Sequence, residues 1–272
     1  MITEKAFNSQ TFLTTIAAIA SIAASAALPP RANESVTNAA AVTEAKTYAD
    51  AAGATLNYRF HAPATVEPGR RYPLVLFLHG AGERGADNAM QMVHGVWPIL
   101  SYMKEKGIEG YLLAPQCPAG QQWVDVPWGL LAHKMPAKPS QAMGLAMELL
   151  EKTIKDLPVD PRRVYVTGIS MGGYGTWDVV QRRPELFAAA MPVCGGGDSS
   201  LAWKMRTVPL WVFHGGCDTV VPFARSRQMV SALWQCDGNV RYREYPGVGH
   251  NCWAATYADH SVLDWFFGQA RK

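Results

Sequence analysis

The chain has 272 residues, 49% of them hydrophobic and 17% charged, and a formal net charge of +3 at pH 7. That is enough chain for one large domain with a substantial core. The small net charge, with no cluster of Lys and Arg, gives no electrostatic footprint for nucleic acid and no polybasic patch for a membrane surface.

Lys5 opens a short polar segment, Phe12 to Leu28 is an apolar run of small and aliphatic residues, and Ala24-Ser25-Ala26 fits an A-x-A cleavage site. This pattern predicts a signal peptide over residues 1–27 and a secreted or periplasmic protein. The Thr, Ser and Ala content of the run makes it a poor permanent anchor, so no membrane association is expected after cleavage. The small, polar, Pro-containing stretch over 28–45 reads as a flexible linker, and residues 46–272 as one domain. The five cysteines are Cys117, Cys194, Cys217, Cys236 and Cys252, an odd number that leaves at least one unpaired. If the loops carrying Cys217 and Cys252 meet, a bridge between those two is sterically reasonable.

Thr55 to Ala62 alternates apolar and polar residues, as an early antiparallel strand does. Pro73 to His79 is almost wholly apolar, the pattern of a strand buried on both faces of a parallel sheet. It runs into His79-Gly80-Ala81-Gly82-Glu83-Arg84-Gly85, a glycine-rich loop that lets backbone amides approach a substrate. Asp87 or Asn88 is placed to cap a helix running to about Lys106, with Pro98 a potential kink. A short strand follows over Tyr111–Ala114, stopped by Pro115 and Pro118.

Residues 117–139 form an irregular stretch with Pro118, Pro127, Pro136, Pro139, Trp123 and Trp128. Long loops in compact domains are often functional, and one leaving the C-terminal edge of an α/β sheet lies where ligands bind. Trp123 and Trp128 are therefore read as candidate walls of a substrate site, with plugs that pin the loop as the alternative. Ser140 caps the next helix, whose buried stripe is Met143, Met147, Leu150 and Ile154.

Arg163 to Thr167 suits a buried strand, and Gly168-Ile169-Ser170-Met171-Gly172 leads from it into a helix marked by Tyr174, Trp177 and Val180. A serine on so tight a strand-to-helix turn, flanked by glycines, is the G-x-S-x-G nucleophile elbow. The turn projects the hydroxyl clear of the backbone and aims the N–H of Met171 at the place where an oxyanion forms. The second oxyanion donor is assigned to the N–H of Ala81. Strands follow over Phe187–Val193, Pro209–His214 and Val240–Tyr245, a helix over Phe223–Gln235, and a closing helix over Ala254–Gly268.

Strands alternating with helices from residue 73 onward imply an α/β fold with a mostly parallel, twisted sheet and helices on both faces. In such a chain the partners of Ser170 follow it in the order acid, then histidine. Asp218 lies just past the Pro209–His214 strand and His250 just past the last one, flanked by Gly247 and Gly249. Asp198, Asp237 and Asp259 fit that order less well, and His79 and His214 read as loop holders. The sequence has no H-E-x-x-H, C-x-x-C or G-x-x-x-x-G-K, so neither a metal site nor a phosphate-binding loop is expected, and no cofactor is implied.

The stretches 78–85, 114–118, 168–177, 213–215 with Asp218 and Val221-Pro222, and 249–253 together resemble the predicted-peptidase and carboxylesterase branch of the α/β-hydrolases, related to feruloyl esterases and polyhydroxybutyrate depolymerases. The resemblance covers roughly residues 50 to 270. It implies an α/β-hydrolase fold and ester hydrolysis at Ser170, His250 and Asp218, with Gln116 of the 114–118 stretch joining Trp123 and Trp128 at the substrate. The resemblance does not specify the substrate; export, an open loop with two tryptophans and no long lid helix suit a small-molecule or polysaccharide-linked ester, of feruloyl or acetyl type, better than a long-chain lipid. A polyester depolymerase and a small serine peptidase are the enzymatic alternatives. A hydrolase fold kept as a binding module is the non-enzymatic one, and it would predict loss of a triad member, which this chain does not show.

Overall fold

A computed structural model describes residues 30–272, so the signal peptide expected over 1–27 lies outside the described residues. The described chain starts with a helix, α1 (Pro30–Ala41), followed by β1 (Glu44–Ala49) and β2 (Thr55–His61). Then come β3 (Tyr72–Leu78), α2 (Val96–Glu105), β4 (Tyr111–Pro115), α3 (Gln141–Asp156) and β5 (Val159–Ile169). The rest is α4 (Met171–Arg182), β6 (Ala189–Val193), β7 (Leu210–Gly215), α5 (Ala224–Trp234), β8 (Val240–Tyr245), α6 (Trp253–Ala258) and α7 (His260–Phe267).

All eight strands form one sheet in the order β1-β2-β4-β3-β5-β6-β7-β8. β1, β2 and β4 pair antiparallel, and the remaining neighbours pair in parallel. Side chains of β3 show how the sheet separates two cores. Tyr72, Leu74, Leu76 and Leu78 pack with α3, α4 and α5 on one face, while Val75 and Phe77 pack with α2, α6 and α7 on the other. The period-2 alternation puts every second residue on the same side, and both sides are apolar because both are covered.

Four expectations are corrected. The stretch 28–45 is not a linker: its described part is α1, which packs Val36, Ala39 and Ala40 into the core beside α2, followed by the start of β1. The helix expected from 87 to 106 is shorter. Asp87 Oδ1 accepts the N–H groups of Ala89 and Met90, a short 3-10 turn spans Met90–Met92, and Gly95, with φ of 80°, separates that turn from α2. Pro98 then falls in the first turn of α2, where its missing N–H costs no bond. The closing helix is two helices, because Asp259 leaves the helical conformation and its carboxylate accepts the Ser261 N–H at the start of α7. Finally, all five cysteines are free, with Cys217 exposed and Cys252 buried, so they are not bridged. Among the described residues no helix is long and apolar enough to cross a membrane.

Candidate active site

The junction of β5 and α4 explains why Ser170 is flanked by glycines. A Cβ on Gly172 would lie 1.9 Å from the Leu78 carbonyl oxygen, and one on Gly168 would lie 2.4 Å from the Gly172 carbonyl oxygen. Only bare backbone fits between the end of β3 and the start of α4. Ser170 itself has φ of 53° and ψ of −117°, a strained conformation that the surrounding hydrogen bonds hold in place. Its N–H donates to Val193 O of β6 at 2.9 Å.

His250, in the turn after β8, brings Nε2 to 2.8 Å from Ser170 Oγ and Nδ1 to 2.7 Å from Asp218 Oδ2. Asp218 follows β7 and is buried. Its Oδ1 accepts the N–H groups of Val220 and Val221 at 2.9 Å each. Its Oδ2 also lies 3.2 Å from His214 Nε2. Burial alone would raise the Asp218 carboxyl, but hydrogen bonds from His214, His250, Val221 and Val220 outweigh it and hold the group well below the usual carboxylate range. Asp218 is thus a fixed anion beneath the imidazole. With Nδ1 bonded to that anion, His250 presents Nε2 to the serine as the proton acceptor. The edge of Trp253 packs on the His250 ring at 5.3 Å between centroids.

A pocket of about 240 Å³ opens beside Ser170. Ala81, Glu83, Trp128, Val220, Val221 and Trp253 are among its walls. A second pocket, of about 300 Å³ near Arg70 and Leu157, has no serine, cysteine, histidine or acid in its lining. Ala81 lines the pocket and opens a 3-10 turn directly after Gly80, and Met171, the first residue of α4, follows Ser170 without lining the pocket itself, so each carries its N–H at the start of a helical turn. His79 fixes the Ala81 loop. Its Nδ1 donates to Gly80 O at 2.6 Å, and its Nε2 accepts the Cys117 N–H at 2.9 Å. Burial lowers the His79 ring to about 4, which keeps it neutral and able to do both. Glu83, on the same loop, is nearly buried with Oε2 unpartnered, and burial raises its carboxyl.

Of the expected substrate residues, Trp128 lines the pocket and Trp123 does not. Trp123 is wholly buried, and its Nε1 donates to His79 O at 3.0 Å, so it pins the loop rather than meeting a ligand. Gln116 is also buried and out of the pocket. Its Oε1 accepts the Asn88 N–H, and its Nε2 donates to Glu83 O and Asp87 Oδ1 at 3.1 and 2.9 Å, which shapes the loop after Ala81. Glu83, Val220, Val221, Trp253 and the second donor His214 were not foreseen. His214 and Trp253 sit at a β7 end and two residues past Asn251, close in sequence to Asp218 and His250, and that adjacency was the available signal. Cys194, Asp218 and His250 each bring one donor atom within 4.8 Å of the others. The carboxylate and the imidazole are already bonded to each other, and burial pushes the Cys194 thiol well up, so the set suits a hydrogen-bond chain better than a cation.

A family model described as "Phospholipase/Carboxylesterase" matches residues 61–261. The chain is 38% identical to a solved thermostable esterase, with a TM-score of 0.77 over 85% of this chain and 64% of that one. A probable carboxylesterase of Oryza sativa subsp. japonica is 24% identical over 70% of this chain and 76% of its own length. A bifunctional acetylxylan esterase/xylanase of Neocallimastix patriciarum is 26% identical over 63% of this chain, which spans only 22% of that much longer protein.

Proposed function

The chain belongs to the phospholipase/carboxylesterase family of α/β-hydrolases and is a carboxylic ester hydrolase, and from that premise we propose an exported serine esterase acting on esters of small acyl groups, of acetyl or feruloyl type. The observation that carries this reading is the unbroken chain Ser170 Oγ–His250 Nε2, His250 Nδ1–Asp218 Oδ2 at the mouth of the pocket, with links of 2.8 and 2.7 Å.

The serine hydroxyl attacks the acyl carbon while His250 takes its proton. Asp218 holds the imidazole in the required tautomer and stabilises the imidazolium that forms. Negative charge develops on the former carbonyl oxygen, where the N–H groups of Met171 and Ala81 receive it. His250 then returns the proton to the leaving alkoxide, and water releases the acyl group by the same route. The modest pocket, walled by Trp128 and Trp253, suits short or flat acyl groups. The acetylxylan esterase relative supports an acetylated polysaccharide fragment as one such substrate. The apolar run before the A-x-A site at 24–26 supports export.

The test is covalent labelling by a fluorophosphonate probe, together with a panel of p-nitrophenyl acetate, feruloyl esters, polyester film and aminoacyl amides. Labelling is expected in the native chain and absent in Ser170→Ala, with the short p-nitrophenyl and feruloyl esters turned over fastest. Hydrolysis by the alanine variant at native rates would refute the assignment. N-terminal sequencing of the exported protein is expected to begin at about residue 27 or 28, just past the A-x-A site.

A further inference from the structure

Arg225, in the first turn of α5, is 1% exposed, yet it has no acidic partner among the described residues. Nη2 donates to His133 Nδ1, while Nε and Nη1 are buried with no acceptor at all. The acids of the neighbourhood are committed elsewhere. Asp198 accepts from Ser200 and from the Met135 N–H and lies 3.6 Å from Lys134 Nζ. Asp218 is bonded to His250, Val220 and Val221.

A buried guanidinium without a counter-charge is costly, and each unpaired donor adds to that cost. The face of Tyr174, 5.5 Å from Cζ, offsets only part of it. A trapped water would satisfy the donors but would leave the charge uncompensated. An anion does both. Nε and Nη1 lie on different edges of the guanidinium and cannot share one carboxylate by themselves, but once His133 moves, the freed Nη2 completes a two-donor edge with Nη1 that matches the paired oxygens of a carboxylate. His133 is only half-buried, and it sits in the irregular segment whose Leu130 and Leu131 are exposed. Burial and the adjacent Arg225 lower its ring to about 4, so at neutral pH it is an uncharged acceptor. In this arrangement His133 occupies the position of a ligand atom.

We propose that Arg225 is the floor of an anion site covered by His133, and that a carboxylate displaces the imidazole to bind there. The site adjoins the ester pocket. Val221, four residues before Arg225, lines that pocket, and the Tyr174 hydroxyl donates to the carbonyl of Trp128, another of its walls. The carboxylate therefore has two possible sources, a free acid in solution or an ester that carries a second, ionised carboxyl group.

The binding test needs no catalysis and so stands or falls separately from the esterase reading. The melting temperature of the full chain is followed against acetate at constant ionic strength for the native protein, Arg225→Met and His133→Ala. A saturable rise is expected in the native protein. It should saturate at least several-fold lower in acetate for His133→Ala, and vanish for Arg225→Met. A non-saturating rise shared by all three overturns the proposal. Should Arg225→Met fail to fold, an unchanged midpoint in His133→Ala overturns it alone. Kinetics identify the source. A p-nitrophenyl hemisuccinate-to-butyrate kcat/KM ratio that drops about tenfold in Arg225→Met, and is lowered by acetate in the native enzyme, assigns the anion to the substrate. An unchanged ratio alongside saturable binding assigns it to a free acid.

Discussion

Two parts of the molecule reach the same pocket and are built in opposite ways. The rim formed by the ends of β5, β7 and β8 is over-determined: Ser170 is held in a strained turn, and Asp218 collects hydrogen bonds from two backbone amides and His250, with His214 also in reach. The segment 117–139 has no helix or strand and is held by scattered bonds to several different elements. Trp123 anchors one end through His79 O, and Ser140 Oγ donates to Trp123 O at 2.9 Å. Arg182 Nη2 donates to Pro136 O at 2.8 Å near the other end, while Leu130 and Leu131 stand in solvent. The rigid rim fits the part that must be the same for every ester. The irregular segment fits the part that meets what differs between esters.

Substitutions can break this contrast, and the largest effect is expected at the rim. Asp218→Asn should keep the fold but lower kcat by roughly 10³ to 10⁴-fold, because an amide can donate to Nδ1 and favour the wrong tautomer. Steady-state kinetics on p-nitrophenyl acetate beside a circular dichroism melt checks it, and a loss below tenfold would place the proton relay elsewhere. Within the irregular segment the two tryptophans should behave differently. Trp123→Ala should cost about 3–5 kcal/mol of stability, read as a fall in the urea midpoint, since it empties a fully buried site. Trp128→Ala should cost little stability and change kcat/KM between acyl groups by about tenfold, as a pocket wall does. Equal stability losses in the two variants would erase the distinction between pin and wall.

The smallest effect is a pH slope that belongs to the link between the regions. Burial holds His79 neutral down to about 4 in the folded chain, whereas an unfolded histidine titrates near 6.5. Between those values the unfolded state binds more protons. Stability is therefore full above about pH 6.5 and falls as pH drops toward 4, by at most ~1.4 kcal/mol per pH unit for this one group. Asp218, whose folded value is depressed, contributes its loss only at more acid pH, below the unfolded carboxylate range. Urea midpoints at pH 7, 5.5 and 4.5 should decline in the native chain and decline less in His79→Asn.

The rim was legible in the sequence because its constraints are local. Glycines on both sides of Ser170, strand ends before Asp218 and His250, and the order of the three need no knowledge of distant contacts. α1 and β1 were not legible. The helix buries little more than Val36, Ala39 and Ala40, and the strand Glu44–Ala49 is an edge strand with no buried residue, so neither carries a strong apolar period. The fates of Trp123, Trp128 and Gln116 were likewise hidden. Which of two nearby tryptophans turns inward depends on a hydrogen bond to His79, far away in the chain, and the side chain of Gln116 serves Asn88 and Asp87 through pairings that only the folded loop creates. Arg225 looked like any basic residue on an amphipathic helix. Its burial follows from the close approach of the backbone at Gly196, which lies on another element.

The contact of Gly172 with Leu78 O has a consequence for inheritance. It holds the start of α4, which opens with Met171, against the end of β3, three residues before Ala81; these carry the two amides that the proposed mechanism aims at the developing charge. The backbone of Gly172 is packed so tightly on Leu78 O that the helix start cannot shift toward the strand end. A descendant of this chain can therefore rebuild residues 124–139 for a new ester and, so long as Cys117 and Trp123 keep their bonds to His79, leave the charge-receiving geometry untouched.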